Sequence, residues 1–245
     1  MTAPVFFSSV LADPREVVHL DAPEAKHMRV MRIAVGEAVD LVDGRGTRMS
    51  GTYLGQGRVR VQTRVEEPVV SPRITLVQAL AKGGRDEQAI EMATEVGVHR
   101  VVAWQSERAI VRWGKSASKE TASSKVDRGL AKWRRTLEAA TKQSRRSRIP
   151  DLDYAADLNE LLATLKDHRI VVLHEAAELP IEQLDPALLR DPIAIVVGPE
   201  GGITDAELTG LTAAGGRACV VGDTVMRSST AGTVGITLVR HLARA

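Results

Sequence analysis

Arg227 is the side chain with most chemistry to offer. It lies in Met226-Arg227-Ser228-Ser229-Thr230-Ala231, just after the apolar run Ala218–Val221 leaves through Gly222-Asp223-Thr224. Arginine stays protonated in proteins, so it serves as an anion binder or stabiliser and never as a general base. A surface ion pair would use it equally well. Two more apolar runs end in polar or glycine-rich turns: Arg169–Leu173 at His174-Glu175, and Ile193–Val197 at Gly198-Pro199-Glu200-Gly201-Gly202. In a parallel α/β sheet ligands bind beyond the carboxyl ends of strands, so three such exits define one candidate pocket with Arg227, beside Thr230, in its rim. Gly201 and Gly202 lack Cβ and let a flat ligand lie on the backbone. Glu175 and Glu200 can accept hydrogen bonds from an amine or hydroxyl, or simply cap turns. His174 can accept a proton or play a structural part.

Other chemistries lack their residues. The six histidines show no HxH, HExxH or CxxC spacing, and Cys219 is the only cysteine, so no metal site is expected. No serine occupies a GxSxG elbow, no Walker lysine follows a glycine loop, and GxGxxG is missing. Cys219 sits inside an apolar run and reads as a buried thiol. With 3% aromatic residues, base stacking on an aromatic sheet is not expected, and Trp104, Trp113 and Trp133 read as packing residues.

The elements that would position the pocket fall into two textures. Up to about residue 67 the chain is mostly β: Pro4–Val10, Val39–Val42, a turn at Asp43–Gly46, Thr47–Leu54, a turn at Gly55–Gly57, then Arg58–Val65. In that last strand Val59, Val61, Thr63 and Val65 alternate with Arg58, Arg60, Gln62 and Arg64, which predicts one buried and one basic face. Pro23–Met31 reads as a short helix carrying Lys26, His27 and Arg29, with Arg32 just beyond. Together these resemble a small β-barrel with a basic exterior. Glu66–Pro72, with prolines at 68 and 72, is the best boundary. Beyond it Ile74–Leu80, a helix over Glu87–Val96 capped by Asp86, and Val98–Trp104 form a βαβ unit, hence a parallel sheet. Glu107–Ser124 reads as irregular, Lys125–Ser144 as a long helix, and Asp157–Leu165, Leu179–Leu189, Thr204–Ala214 and Ser229–Ala243 as further helices. Ala231, Gly232 and Gly235 allow close approach of another backbone, from this chain or a second subunit.

The chain has 245 residues, 44% hydrophobic, enough for one large domain or a large one with a small companion. No apolar run approaches the ~20 residues that span a bilayer, and the start lacks a signal-peptide pattern, so a cytoplasmic protein is expected. Net charge is +2, yet between Arg112 and Arg148 twelve Lys or Arg stand against Glu120, Asp127 and Glu138. Such a strip fits an anionic partner or a solvated helix face.

An ordered set of motifs along nearly the whole chain resembles the RsmE family, the 16S ribosomal RNA uracil-N3 methyltransferases of the SPOUT superfamily. It comprises Lys26-His27-Met28-Arg29-Val30-Met31-Arg32, Gln78–Gly83, Glu91–Val98, Ser106-Glu107-Arg108, Lys132-Trp133, Gln143–Arg146, Leu173-His174-Glu175, Val197–Gly202 and Val221–Arg227. The resemblance implies an α/β fold: a PUA-like, RNA-binding β-barrel over 1–70, then a SPOUT trefoil-knotted parallel-sheet domain over 73–245. It implies S-adenosyl-L-methionine held by Leu173, His174, Glu175, Gly198, Pro199, Glu200, Gly201, Val221, Gly222, Met226, Ser228 and Thr230, with Arg227 catalytic. It also implies RNA contacts from Lys26, His27, Arg29, Arg32, Arg58, Arg60, Arg145 and Arg146. The partners would be 16S ribosomal RNA or the small ribosomal subunit and a second copy of the chain in a homodimer, with no membrane and no metal. One departure stands out: Ser229 occupies the place where the family usually has a glutamate. That departure keeps two alternatives open, a non-catalytic ribosome-assembly factor on the same scaffold and a methyltransferase with another RNA target.

Overall fold

The structure, a computed structural model, describes residues 3–114, 119–189 and 192–243. Lys115 of the basic strip lies outside the described residues, as do the side chains of Lys119 and Glu120. The chain divides into two compact units, one of residues 1–69 with 138–149 and one of 70–137 with 150–245. Residues 138–149 therefore group with the amino-terminal unit, although in sequence they fall within 73–245.

The first unit contains β1 (Val5–Phe7), β2 (Val17–His19), α1 (Ala22–Val30), β3 (Ala38–Val42), β4 (Thr47–Gly55) and β5 (Arg58–Glu66). They build a five-stranded sheet in the order β1-β3-β4-β5-β2, antiparallel except where β1 joins β3. Phe6, Met28, Leu41, Met49, Tyr53 and Val59 fill its core. The β3–β4 turn is closed by the Asp43 carboxylate, which accepts the amides of Arg45, Gly46 and Thr47 at 2.7, 2.9 and 3.0 Å. Burial opposes ionisation of Asp43, but these amide bonds together outweigh it and hold its pKa below the ordinary value. Helix α1 begins where Asp21 accepts the Glu24 amide at 3.0 Å.

Two expectations need correction here. β2 was missed, being only three residues long at a sheet edge. In β5 only Val59 and Val61 are buried; Thr63 is exposed and Val65 is 54% exposed. The cause is a bulge: Ser50 faces Thr63 while the next residue, Gly51, faces Val61. The extra residue breaks the alternation and carries the end of the strand out of the core. Segment 138–149 is fastened to this sheet by two arginines. Arg48 donates to Glu67, to Asp40 at 2.9 Å and to the Arg145 carbonyl at 2.8 Å. Arg148 donates to the Glu67 carbonyl at 2.8 Å.

The second unit contains β6 (Ile74–Ala79), α2 (Arg85–Glu95), β7 (Arg100–Trp104), α3 (Lys119–Gln143, whose last turns belong to the first unit), β8 (Asp151–Ala155) and α4 (Leu158–Thr164). There follow β9 (Arg169–Leu173), β10 (Ile193–Val197), α5 (Asp205–Ala213), β11 (Arg217–Cys219) and α6 (Ser228–Leu242). Six parallel strands run in the order β11-β9-β10-β6-β7-β8. Every residue of β6 and β10 is buried, as expected for central parallel strands covered on both faces. One face takes α4 and α5 through Leu161, Leu165 and Leu211; α2 and α6 pack together on the other. A Cβ on Gly232 or Gly235 would stand 2.9 Å from Leu76 Cδ1 or 2.8 Å from Leu173 Cδ1. The small face of α6 is therefore used by its own sheet.

Asp86 does not cap α2. The cap is Gly84, in the left-handed region, and Asp86 lies buried in the first turn accepting the Ala81 amide at 3.2 Å. Burial pushes its carboxyl pKa up, only partly offset by that amide. β8 was missed because Asp151 and Asp153 disguise it; at a sheet edge Asp153 is served by Arg100 at 2.6 Å. Residues 119–124, expected irregular, open α3, and the expected helix Leu179–Leu189 is two short 3₁₀ turns, Ile181–Gln183 and Pro186–Leu188. Prolines at 180 and 186 deny that segment continuous α-helical hydrogen bonding.

Candidate functional site

β9, β10 and β11 are neighbours in the second unit's sheet, so their carboxyl ends open side by side. Beyond them lies a cavity of about 420 Å³, a size ordinary for a small-molecule site. The turn after β9 contributes Leu173, His174 and Glu175; the turn after β10 contributes Gly198, Pro199, Glu200, Gly202 and Ile203. The segment from Val220 to Ser228, with Ala231 of α6, closes the remaining side. Arg227 and ten of the twelve residues expected around a cofactor are thus brought to one cavity. Gly201 and Thr230 are not in its wall. The Gly201 carbonyl instead accepts from Arg108 Nη1 at 3.2 Å, and Thr230 is exposed on α6.

Local interactions fix these turns. Gly202 N–H donates to the Pro199 carbonyl at 2.9 Å. Thr204 and Glu207 form the complete capping box of α5, and Glu207 also accepts the Glu107 amide at 2.7 Å. Thr204 Oγ1 donates to Glu107 Oε2 at 3.1 Å, so the Ser106-Glu107-Arg108 segment braces the Gly198–Gly202 turn. His174 is spent on structure: its amide donates to the Cys219 carbonyl at 2.9 Å and its Nδ1 accepts the Ala176 amide at 3.2 Å. Burial pushes the Cys219 thiol up to about 11. The folded protein should therefore resist a thiol-specific reagent at pH 8 and react fully once denatured; rapid modification in the native state would show the strand end to be open.

Arg227 precedes α6 with extended backbone angles and accepts the amides of Thr230 and Ala231 on its carbonyl. Its guanidinium makes no hydrogen bond or ion pair with another described residue. Ser228 Oγ is buried at the cavity wall and is also without a partner among the described residues. A buried hydroxyl in that state calls for a ligand atom or a water. Ser229 is 4% exposed and faces away from solvent within the first turn of α6.

Sequence reasoning missed Arg85 in the cavity wall, where it pairs with Glu200 at 3.3 Å. The signal was present: it follows Gly83-Gly84 at the exit of β6, the same kind of position as the other three turns. Lys26, Arg29, Arg32 and Arg60 are exposed on the first unit, while His27 is edge-on to Phe6 at 5.3 Å and Arg58 reaches back to the Gly55 carbonyl. In the same unit Arg145 is exposed and Arg146 half-buried. Of the tryptophans, Trp104 is fully buried and Trp133 packs against Trp113, which stacks on Tyr154. Among the described residues no three acidic, histidine or cysteine side chains group as a metal would require, and no helix is long and apolar enough to cross a membrane.

Comparison with known proteins places this geometry. Residues 69–240 match the RNA methyltransferase domain family and residues 20–62 the RNA methyltransferase PUA domain. Proteins of Mycobacterium bovis and Mycobacterium tuberculosis, each named ribosomal RNA small subunit methyltransferase E, are 38% identical over 246 residues, covering 96% of this chain and 90% of theirs. A ribosomal RNA small subunit methyltransferase E from Neisseria gonorrhoeae, solved bound to S-adenosyl methionine, superposes with TM-score 0.83 at 23% identity, covering 98% of both chains. A Legionella pneumophila methyltransferase solved with the same cofactor gives 0.81 at 24% identity over 98% of both. The two sheets are the curled PUA-like and the parallel SPOUT-type α/β sheets of such enzymes. The chain belongs to the ribosomal RNA small subunit methyltransferase E family of RNA methyltransferases.

Proposed function

We propose that this enzyme methylates N3 of a uridine in 16S ribosomal RNA, using S-adenosyl-L-methionine bound in the cavity beyond β9, β10 and β11. The observation that carries the reading is Arg227: a guanidinium without a partner among the described residues, at a cavity whose turns also bear Glu175, Glu200 and Asp223. The residues fit the cofactor. Carboxylates suit a sulfonium and an ammonium group, the glycine-bearing turns suit adenine, and Ser228 Oγ lacks a partner among the described residues. When bound, the cofactor supplies an electrophilic methyl group. The chain's own residues do the rest. Uracil N3 gives up its proton to solvent before it attacks, and the charge then spreads over the ring carbonyls. Arg227, always protonated, stabilises that charge, while the rigid turns hold the base in line with the methyl group. Exposed basic residues of the first unit grip phosphates without reading sequence.

In the same reading residues 1–70 are the RNA-binding domain and 73–245 the knotted methyltransferase domain of a cytoplasmic homodimer. The test is to incubate the protein with small ribosomal subunits from a strain lacking the enzyme, add labelled cofactor, and digest the RNA to nucleosides. Label in 3-methyluridine supports the reading; label in any other nucleoside, or none, overturns it.

A further inference from the structure

The cavity wall carries both signs of charge. Its carboxylates, Glu175, Glu200 and Asp223, sit in the turns after β9, β10 and β11; its two guanidiniums, Arg85 and Arg227, sit where α2 and α6 begin. Those helices pack together on one face of the sheet. A sulfonium cofactor has its complement in the acidic turns. Two guanidiniums exceed what the cofactor's single carboxylate can use, and an RNA strand supplies the further anions.

Arg85 is built to be there. The turn Lys82-Gly83-Gly84 has both glycines at positive φ, 70° and 74°, and it is pinned from inside by buried Asp86, which accepts the Ala81 amide. Glu200 then holds one Nη1 of Arg85 at 3.3 Å. The guanidinium has five N–H donors, so its other edge stays available. The side chain is 40% exposed, which leaves it open to a large ligand approaching from solvent.

Resting on the RNA methyltransferase reading, we propose that Arg85 is a substrate-binding residue that takes a phosphodiester of the RNA strand beside the target uridine, with Glu200 orienting it. The shared chemistry is an anionic oxygen on a guanidinium, and its other possible source is the carboxylate of the cofactor. RNA is favoured because Arg85 lies at the β6 exit. The residues expected to hold the cofactor come from β9, β10, β11 and α6.

The experiment uses the full chain, wild type, Arg85→Ala and Arg85→Lys. Binding of a short uridine-containing oligoribonucleotide is measured across a salt series without cofactor, and S-adenosylmethionine binding is measured separately. An exposed ion pair adds little stability, so both variants should fold, which a thermal melt checks. Arg85→Ala should weaken RNA binding about tenfold and flatten the slope of log affinity against log salt by about 0.7, one phosphate contact on a single strand. Arg85→Lys should recover most of the slope, and in Arg85→Ala cofactor affinity should fall by less than RNA affinity does. An unchanged salt slope in Arg85→Ala would overturn the proposal, whether cofactor affinity falls or holds. Wild-type protein that binds RNA but transfers no methyl group would count against the methyltransferase reading alone, since the salt series would still decide on Arg85.

Discussion

Arg227→Ala is expected to lower methyl transfer to RNA by about 10³-fold while S-adenosylmethionine affinity changes by less than about threefold. The size follows from losing one preorganised cationic donor at the place where charge develops, which costs about 10²–10³ in turnover in comparable sites. The asymmetry follows from position: Arg227 is exposed at the start of α6 and its guanidinium engages no other described residue, so truncating the side chain disturbs no structural bond among them. Arg227→Lys should recover only part of the rate, since an ammonium cannot span two ring oxygens as a planar fork does. Single-turnover transfer beside equilibrium cofactor binding separates the two effects. A variant that keeps more than about a tenth of wild-type transfer would remove Arg227 from its assigned role.

The largest stability effect should come from Gly51→Val in the first unit, about 3 kcal/mol or more, the upper part of the range for overpacked cores. A Cβ there would stand 2.3 Å from the Arg60 carbonyl oxygen and 2.9 Å from Val59 Cγ1. The first obstacle is backbone, so no rotamer change relieves it. Gly51 sits at the bulge that turns the end of β5 out of the core. Denaturant unfolding followed by far-UV dichroism measures the loss; an unchanged midpoint would mean that the close approach does not exist in solution.

What could be read in the sequence, and what could not, follows from which constraints are local. The strands β6, β9 and β10 were legible because central parallel strands are continuously apolar and end abruptly at polar turns. From β9 and β10, with the apolar run Ala218–Val221 that holds the end of β11, came the shared cavity and the place of Arg227. The α5 start was legible because Thr204 and Glu207 serve each other's groups within one turn. Where partners come from far along the chain the reading failed. β8 depends on Arg100 to tolerate Asp153, and Asp86 looked like a cap because the Ala81 amide it serves is fixed only by the fold. The β5 alternation was real as far as Val61, but the bulge that ends it is set by pairing with β4. Gly201 was assigned to the ligand from the glycine-rich turn as a whole. Only Gly198 and Gly202 of those glycines reach the cavity, while Gly201 turns its carbonyl to Arg108. Ser229, where the family usually carries a glutamate, is buried in the first turn of α6 beside two cavity residues, Ser228 and Ala231. A hydroxyl there cannot hold Arg227 by charge, in keeping with a guanidinium that has no partner among the described residues.

A direct check of the cofactor site is calorimetric titration with S-adenosylmethionine of the wild-type protein and of Ala231→Phe. Ala231 lines the cavity from the first turn of α6, so a phenyl ring there would fill space the cofactor needs. A valine at 201 would not serve, since its Cβ would press on Arg108 at 3.3 Å outside the cavity wall. The expected result is one cofactor per wild-type chain and at least a hundredfold weaker binding in the variant, roughly 2.7 kcal/mol. Equal binding by the two proteins, or none by the wild type with small ribosomal subunits present, would contradict a cofactor site beyond β9, β10 and β11.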